Sequence, residues 1–215
     1  ADSAGFRPTL PVQEGLAAVE EPTSSITLVA TAGDDVIENQ TEFSWILDGA
    51  DGNDTITGGT GSEICIGGAG NDMINGGAGA DRLIGGDGED TVHGGNGVDV
   101  MTGGAGADTF LYTGVVGSPP ASRDQITDFV RAEGDKIDLS AIDANQNQAG
   151  DQVFSFIGSA QFSGQAGQLR AVIDNSVEGF NTRIAADVNG DRTEDLVVMV
   201  NVVGGIALAV GDFVM

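Results

Sequence analysis

The central stretch of this chain repeats one nine-residue pattern seven times, from residue 49 to residue 111, without insertion or deletion. Every repeat has an acidic residue in its sixth place and an apolar residue in its eighth, and glycine recurs in the first, second and fourth places. A nonapeptide period with this pattern is typical of a parallel β-helix whose turns bind Ca²⁺. The repeat therefore constrains both the fold and the ligand.

Each repeat is expected to form a turn followed by a short strand. Glycine permits positive φ and close backbone approach, so the first six residues can turn tightly with their carbonyls pointing inward. The eighth residue lies in the middle of the strand and faces the interior. The predicted inward row is Ile56, Cys65, Ile74, Leu83, Val92, Met101 and Phe110. The predicted fold class is all-β, a right-handed parallel β-roll of nonapeptide repeats with a C-terminal strand-rich cap.

Two repeats should complete one coil, which makes acids eighteen residues apart neighbours in the stack. Stacked carboxylates repel unless a cation lies between them, and two carboxylates with several turn carbonyls suit Ca²⁺ better than octahedral Mg²⁺. The expected neighbours are Asp54, Asp72, Asp90 and Asp108 along one edge, and Glu63, Asp81 and Asp99 along the other. The turn glycines predicted to complete these metal sites are Gly49, Gly52, Gly58, Gly61, Gly67, Gly70, Gly76, Gly79, Gly85, Gly88, Gly94, Gly97, Gly103 and Gly106.

Glu63 and Asp35 depart from the regular pattern. Glu63 has an extra methylene group that moves its carboxylate outward, so we expect a weaker or partly hydrated site there. A degenerate repeat at residues 30–38 places Asp35 in the sixth position, and the frame slips by one residue before Gly49. We expect Asp35 to pair with Asp54 in spite of the slip.

Two further segments carry oxygen ligands. Residues 187–195 place them at the first, third, fifth and ninth positions, in Asp187, Asn189, Asp191 and Asp195. This spacing is like that of the Ca²⁺ loops of integrin-type propeller blades, but it lacks the glutamate and glycine of an EF-hand loop. A hairpin turn rich in Asp, Asn and Gly explains the same residues equally well. In the cap, Asp128 and Asp135 flank a tight segment and are candidates for another Ca²⁺ site.

The composition predicts a folding switch. The chain has 33 acidic and 8 basic residues, a net charge of −25, 35 glycines and 5% aromatic residues. Without metal, charge repulsion and backbone entropy oppose folding, and little apolar area offsets them. We expect the chain to be largely unfolded when Ca²⁺ is scarce and to fold at the millimolar concentrations found outside cells. The acidic surface argues against nucleic acid and anionic membrane as partners.

The chain divides into three predicted zones. Residues 1–24 form a proline-containing linker or tail, residues 25–111 the roll and residues 112–215 the cap. A loop is expected at 118–120, and the apolar run 196–210 is too short for a membrane span and predicts a hairpin turning at Gly204 and Gly205. The strands predicted for the cap are 125–130, 136–139, 153–157 and 169–173.

No catalytic constellation is present in the sequence. His93 is the single histidine, in an outward ninth position and without a serine or cysteine partner at a recognisable spacing. Cys65, the single cysteine, belongs to the inward row and excludes an intrachain disulfide. We therefore predict that this chain is not an enzyme, although it is compatible with being the non-catalytic part of a secreted hydrolase.

The repeats resemble those of the RTX family of bacterial secreted proteins. Resemblance to the C-terminal half of serralysin-type metalloproteases spans about residues 30–215 and is carried by ADTFLY (107–112), DQITDF (124–129), GDKIDLSAID (134–143), FIGSAQFSG (156–164) and the closing DFVM. It implies a β-roll fused to a strand-rich cap, Ca²⁺ along the roll, and export through a type I secretion channel by an uncleaved C-terminal signal. Asp212, Phe213, Val214 and Met215 match that signal, an acid followed by apolar residues. The serralysin zinc motif H-E-x-x-H is absent.

The sequence thus predicts a calcium-dependent folding and secretion module of an extracellular protein from a Gram-negative bacterium. Its expected cofactor is Ca²⁺, several ions per chain, and its expected partners are the type I secretion machinery and an upstream catalytic or adhesive domain. No nucleic acid partner and no transmembrane segment are expected. The alternative is a structural extracellular protein that self-associates into calcium-dependent filaments or a surface layer, through its N-terminal tail or an exposed edge.

Overall fold

The chain folds as a β-solenoid built from short strands. The structure is a computed structural model that describes residues 18–20, 26–115 and 123–215. Apart from β1, the predicted linker at 1–24 lies outside the described residues, as does the loop at 118–120. The strands are β1 (Ala18–Glu20), β2 (Ile26–Val29), β3 (Val36–Glu38), β4 (Trp45–Asp51), β5 (Thr55–Thr57), β6 (Ile64–Ala69), β7 (Met73–Asn75), β8 (Ala78–Gly79), β9 (Arg82–Asp87), β10 (Thr91–His93), β11 (Asn96–Gly97), β12 (Val100–Ala105), β13 (Thr109–Leu111), β14 (Asp124–Phe129), β15 (Lys136–Asp138), β16 (Ser155–Phe156), β17 (Gln168–Ile173), β18 (Thr182–Asp187), β19 (Leu196–Val202) and β20 (Phe213–Val214), and a 3₁₀ helix spans Val210–Asp212.

Two sheets form the walls of the solenoid. The large sheet has the strand order β1-β2-β4-β6-β9-β12-β14-β19-β18-β17-β16, and the small sheet has the order β20-β15-β13-β10-β7-β5-β3. Neighbouring strands are parallel throughout the small sheet and from β2 to β19 in the large sheet. The predicted all-β parallel β-roll is therefore confirmed.

The register follows a coil of two repeats. Ile56 pairs with Ile74 in the small sheet, and Cys65 pairs with Leu83 in the large sheet. Ile37 pairs with Ile56 at a separation of nineteen, as the slip in the sequence frame predicts. The eighth residues of all seven repeats are at most 1% exposed, so the predicted inward row forms the apolar core between the sheets.

The two sheets use the repeat differently. Strands of the small sheet occupy only the seventh to ninth places, as predicted, whereas β6, β9 and β12 continue into the first three places of the next repeat. In these longer strands Gly68 pairs with Gly86, and Ala69 pairs with Asp87. Part of the predicted turn is therefore strand on this side, because its main chain pairs with that of the next coil.

The cap continues both sheets of the roll. β14 and β19 extend the large sheet, while β15 and β20 extend the small one. The strands predicted at 125–130, 136–139 and 169–173 are present as β14, β15 and β17, and that predicted at 153–157 is reduced to β16. Closing strands in the cap therefore cover the last coil of the repeats.

The predicted hairpin at Gly204 and Gly205 is wrong. These glycines do form a turn, with φ of 83° and 66°, but residues 203–209 contain no strand. β19 already pairs with β14 on one side and β18 on the other. Because β19 has no free edge, the chain crosses to the small sheet instead, where β20 pairs with β15.

Ala50 offers a test of the turn geometry. It occupies the second place of the first repeat, where the other six repeats have glycine. Its φ of 72° is left-handed, which costs an L-residue about 1–2 kcal/mol. Replacing it (Ala50→Gly) should raise the free energy of unfolding in Ca²⁺ by about 1 kcal/mol, because the strain released exceeds the entropy that glycine adds to the unfolded chain. Urea denaturation measures this change.

A matched control is Ala69→Gly in the extended strand β6. No positive φ is relieved at Ala69, so this substitution should lower the free energy of unfolding by about 0.5–1 kcal/mol. Changes of the same sign in both variants would contradict the assignment of strain to Ala50.

Candidate calcium sites

The sixth-place acids stack in two columns along the solenoid. The first column is Asp35, Asp54, Asp72, Asp90, Asp108 and Asp135, and the second column is Glu63, Asp81, Asp99 and Asp124. In each column the main-chain N–H of one acid donates to the carboxylate Oδ1 of the next, at 2.7 to 3.1 Å. The structure thus brings together all the acid pairs predicted from the repeat, including Asp35 with Asp54.

Six of these acids leave one carboxylate oxygen without a partner. The oxygen is Oδ2 in each case, it is buried, and no hydrogen-bond donor of the described residues reaches it; the acids are Asp54, Asp72, Asp81, Asp90, Asp99 and Asp108. An ionised oxygen buried without a partner is costly, and several in one row add mutual repulsion. A row of cations between the turns would satisfy these oxygens, so this donor set fits Ca²⁺.

Main-chain carbonyls face the same space. A Cβ added at Gly76 would lie 2.6 Å from Asp81 Oδ2 and 2.5 Å from the carbonyl oxygen of Gly94, in the turn of the next coil. The same meeting of a carboxylate and a carbonyl occurs around Gly49, Gly67 and Gly85. Glycine in the first place of the repeat therefore keeps open a pocket lined by oxygens from two successive coils.

No more than two carboxylates face any one of these oxygen-lined pockets. Within the described ranges, no group of three acidic, histidine or cysteine side chains is placed to hold one metal ion. Since Ca²⁺ takes six to eight oxygen ligands, the main-chain carbonyls would have to supply most of the shell.

Burial raises the pKa of the stacked carboxyls. It raises the pKa of Asp81 and of Asp108 to about 7 and that of Asp90 to about 6, and neighbouring acids of the columns add to each rise. The N–H donated by the preceding acid acts in the opposite direction on each pKa, but less strongly. A divalent cation would also lower these values, because opposite charge favours the carboxylate.

The columns continue into the cap through residues that follow the same local rule. Asp124, which the sequence analysis missed, accepts the N–H of Asp99 at 3.0 Å, and Asp135 accepts that of Asp108 at 3.1 Å. Each of these acids lies two residues before an inward isoleucine, as in the repeats. That spacing could have identified Asp124 from the sequence. Asp124 was missed because it follows Asp99 by 25 residues, seven more than the eighteen that separate acids in the repeats.

Asp128 binds the main chain of the last turn of the first column. Its Oδ1 accepts the N–H of Gly103 at 3.0 Å and its Oδ2 that of Gly104 at 2.9 Å. Asp135 Oδ2 accepts the N–H of Val130 at 2.6 Å. The two predicted residues therefore come together around the end of the roll, and whether they also ligate Ca²⁺ stays a prediction.

The loop at 187–195 joins β18 to β19. It contains the predicted ligands Asp187, Asn189, Asp191 and Asp195. Asp187 is fully buried, with Oδ1 accepting the N–H of Gly190 at 2.6 Å and Oδ2 that of Arg192 at 3.0 Å, while Asn189 donates to Asp195 at 3.2 Å. Donors within the loop thus account for its shape as a turn, and calcium binding here stays a prediction.

The single cysteine lies in the large sheet and the single histidine in the small sheet. Cys65 is fully buried in the core, and burial raises the pKa of its thiol to about 12. His93 is half-buried in β10, burial lowers its pKa, and its Nε2 lies 3.3 Å from Thr113 Oγ1. Cys65 is a core residue, as predicted.

The sequence profile described as Peptidase M10 serralysin C terminal matches residues 31–215. The chain therefore belongs to the serralysin C-terminal family, the non-catalytic part of M10 proteases. Family membership implies calcium binding and association with secreted proteins. Among the described residues, no helix is long and apolar enough to cross a membrane.

A solved structure similar to this chain is a subunit of the mannuronan C5-epimerase from Azotobacter vinelandii, determined in solution. The TM-score is 0.48 at 22% identity, and the match covers 92% of this chain and 84% of that one. A search of curated protein sequences finds no match.

Stability of the metal-free fold should increase as the pH falls. Native pKa values of about 6 to 7 exceed the ordinary aspartate value of about 3.9, so the native state binds more protons than the unfolded chain between these limits. The stabilisation is fully present below about pH 4 and is lost as the pH rises through about 7. In chelator, circular dichroism at constant ionic strength should show more β structure at about pH 5 than at about pH 8.

Saturating Ca²⁺ should reverse this trend, because protons then compete with the ion for the same oxygens. An unchanged signal across this pH range in chelator would show that the carboxyls are not buried in the metal-free state.

Proposed function

We propose that this chain is a calcium-dependent folding and secretion module. The observation that carries the proposal is the set of six buried Oδ2 atoms without donors, in Asp54, Asp72, Asp81, Asp90, Asp99 and Asp108. Each would hold one Ca²⁺ together with the next acid of its column and carbonyls of the two turns between them. Bound calcium supplies only charge neutralisation and cross-linking of coils here; no chemical step depends on it.

Calcium would control folding because the metal-free chain has too few basic residues to neutralise its acidic ones. The net charge is −25, and the core between the sheets is narrow, with one inward residue per repeat strand. A site occupied at one hundred times its Kd adds about 2.7 kcal/mol to the native state, so six sites outweigh the total stability of an ordinary domain, about 5–15 kcal/mol. With extracellular-type affinities, the chain folds outside the cell and stays unfolded in low-calcium cytosol.

The first experiment compares the chain in chelator and in millimolar Ca²⁺ by far-UV circular dichroism. We expect mostly disordered chain in chelator and β-rich chain in Ca²⁺. Asp90→Asn should raise the Ca²⁺ midpoint of folding and lower the stability of the loaded form by at least about 3 kcal/mol, the contribution of one site, because Asp90 lies between the sites of Asp72 and Asp108.

The matched control is Asp87→Asn in the same coil. It removes the same charge from an exposed side chain outside the columns and should leave the midpoint nearly unchanged. Equal shifts in the two variants would mean that net charge, rather than the stacked site, controls folding; full β structure in chelator would reject the switch.

The closing residues of the chain are proposed as the signal for type I export. In the folded state Asp212 is buried and pairs with Arg131 at 2.8 Å, and Phe213 packs against Phe156 with ring centroids 5.2 Å apart. β20 also pairs with β15. The segment is thus part of the folded domain, and its recognition by an export channel fits a chain that is still unfolded.

Secretion can be tested without changing Asp212 or Phe213. Val214 is 40% exposed, and Met215 is half-buried. The double variant Val214→Ser, Met215→Ser should therefore fold nearly normally in Ca²⁺ but remain inside a type I secreting host, as measured by immunoblotting of cells and medium. Asp151→Ser, an exposed change far from the terminus in sequence, serves as the control. Normal export of the double variant would exclude these two residues from the signal.

Upstream of this module we propose a catalytic or adhesive domain of a larger secreted protein. The support is the family, which is the non-catalytic part of M10 proteases. The lack of an H-E-x-x-H motif in the sequence means that any zinc site of that type would have to lie outside this chain.

A further inference from the structure

The turn of Glu63 differs from the other turns of the repeats. Glu63 Oε2 accepts the main-chain N–H of Gly59 at 3.2 Å, and its Oε1 accepts the side-chain amide of Asn39 at 3.2 Å. In each of the other six repeats the sixth-place acid keeps a buried Oδ2 without a donor. The extra methylene of glutamate lets this carboxylate reach donors that aspartate does not reach in the neighbouring turns.

Asn39 is held firmly in the position from which it donates. It is 3% exposed, its Nδ2 also donates to the carbonyl of Phe43 at 3.1 Å, and its Oδ1 accepts the N–H of Thr41 at 3.0 Å. Its own N–H donates to the carbonyl of Thr57, as the N–H of Gly58 donates to that of Asn75 one coil later. Asn39 thus stands in the first place of its turn, where the repeats have glycine.

An N–H group and a cation compete for the same carboxylate oxygen, because both present positive charge to it. Glu63 has both oxygens engaged by such donors. A Ca²⁺ ion there would have to break both hydrogen bonds, one buried and one partly buried, and leave the Asn39 amide facing the cation. The residues of this turn therefore do not fit the metal that the repeat pattern predicts.

We propose that the Glu63 turn takes no Ca²⁺, and that Asn39 and the Gly59 N–H close the end of the second column in its place. The proposal rests on the proposed function, since it states which acid the calcium row excludes. Asp35 follows the same rule in the first column, where its Oδ2 accepts the N–H of Thr31 at 2.9 Å and the Thr31 hydroxyl at 2.8 Å. The N-terminal end of the roll is closed by protein donors, and the calcium rows begin at Asp54 and Asp81.

The test is the number of Ca²⁺ ions bound per chain, counted by native mass spectrometry and by isothermal titration. We expect six in the unaltered chain, one for each unpaired Oδ2. Glu63→Gln should also bind six, because the replaced carboxylate holds no ion, and the glutamine carbonyl oxygen still accepts from one of the two donors. Asp81→Asn, the next acid of the same column, is the matched control and should lose at least one ion. A loss in Glu63→Gln equal to that in Asp81→Asn would overturn the proposal.

A second variant gives a gain of binding instead of an unchanged count. Asn39→Gly combined with Glu63→Asp removes the amide and shortens the carboxylate, which restores the glycine and the aspartate of the other turns. It should bind one more ion than the unaltered chain, and a count that stays the same would overturn the proposal even if Glu63→Gln failed to fold. If the unaltered chain and every variant bound no Ca²⁺, the proposed function itself would fail; a loss in both Glu63→Gln and Asp81→Asn would reject only this inference.

Discussion

The burial of carboxylates in stacked turns is the constraint on which the rest of this structure depends. Each sixth-place acid points inward and is at most 3% exposed, and all of them except Glu63 accept the main-chain N–H of the acid one coil before. This hydrogen bond locks the register of successive coils but uses only one oxygen of each carboxylate. The second oxygen is left facing the turn, so the backbone arrangement that builds the roll also creates its demand for cations.

The glycine positions of the repeat and the acidic charge of the chain both follow from that arrangement. Around Gly76, a side chain would collide with the Asp81 carboxylate and the Gly94 carbonyl, which explains why the first place of the repeat needs glycine for space and not for φ. In the second and fourth places, positive φ is the reason in every repeat except the one that contains Gly59 and Gly61, and Ala50 adopts this φ without being glycine. An acidic chain with so much glycine gains little from its own core, so its stability depends on what binds between the coils.

The repeats were predictable from sequence because each of them encodes one coil half with its own turn, inward residue and acid. The period placed Asp54 beside Asp72 and Ile56 beside Ile74 without any knowledge of the cap. Prediction failed where contacts join distant segments. Asp124 was missed because extra residues precede it, and the hairpin at Gly204 was wrong because the large sheet, and not the local turn signal, decides what pairs with β19.

The sequence by itself determined the parallel roll, the pairing of acids across coils and the inward apolar row, since all three follow from a nine-residue period and local glycine geometry. Only the tertiary structure decided that the cap extends both sheets, that Asp124 and Asp135 prolong the columns, and that Asn39 reaches Glu63. The physical reason is that these contacts depend on the positions of residues 24 to 27 apart across coils that do not keep the period. Side-chain donors at such positions, rather than the repeat pattern, decide which carboxylates are left for a cation.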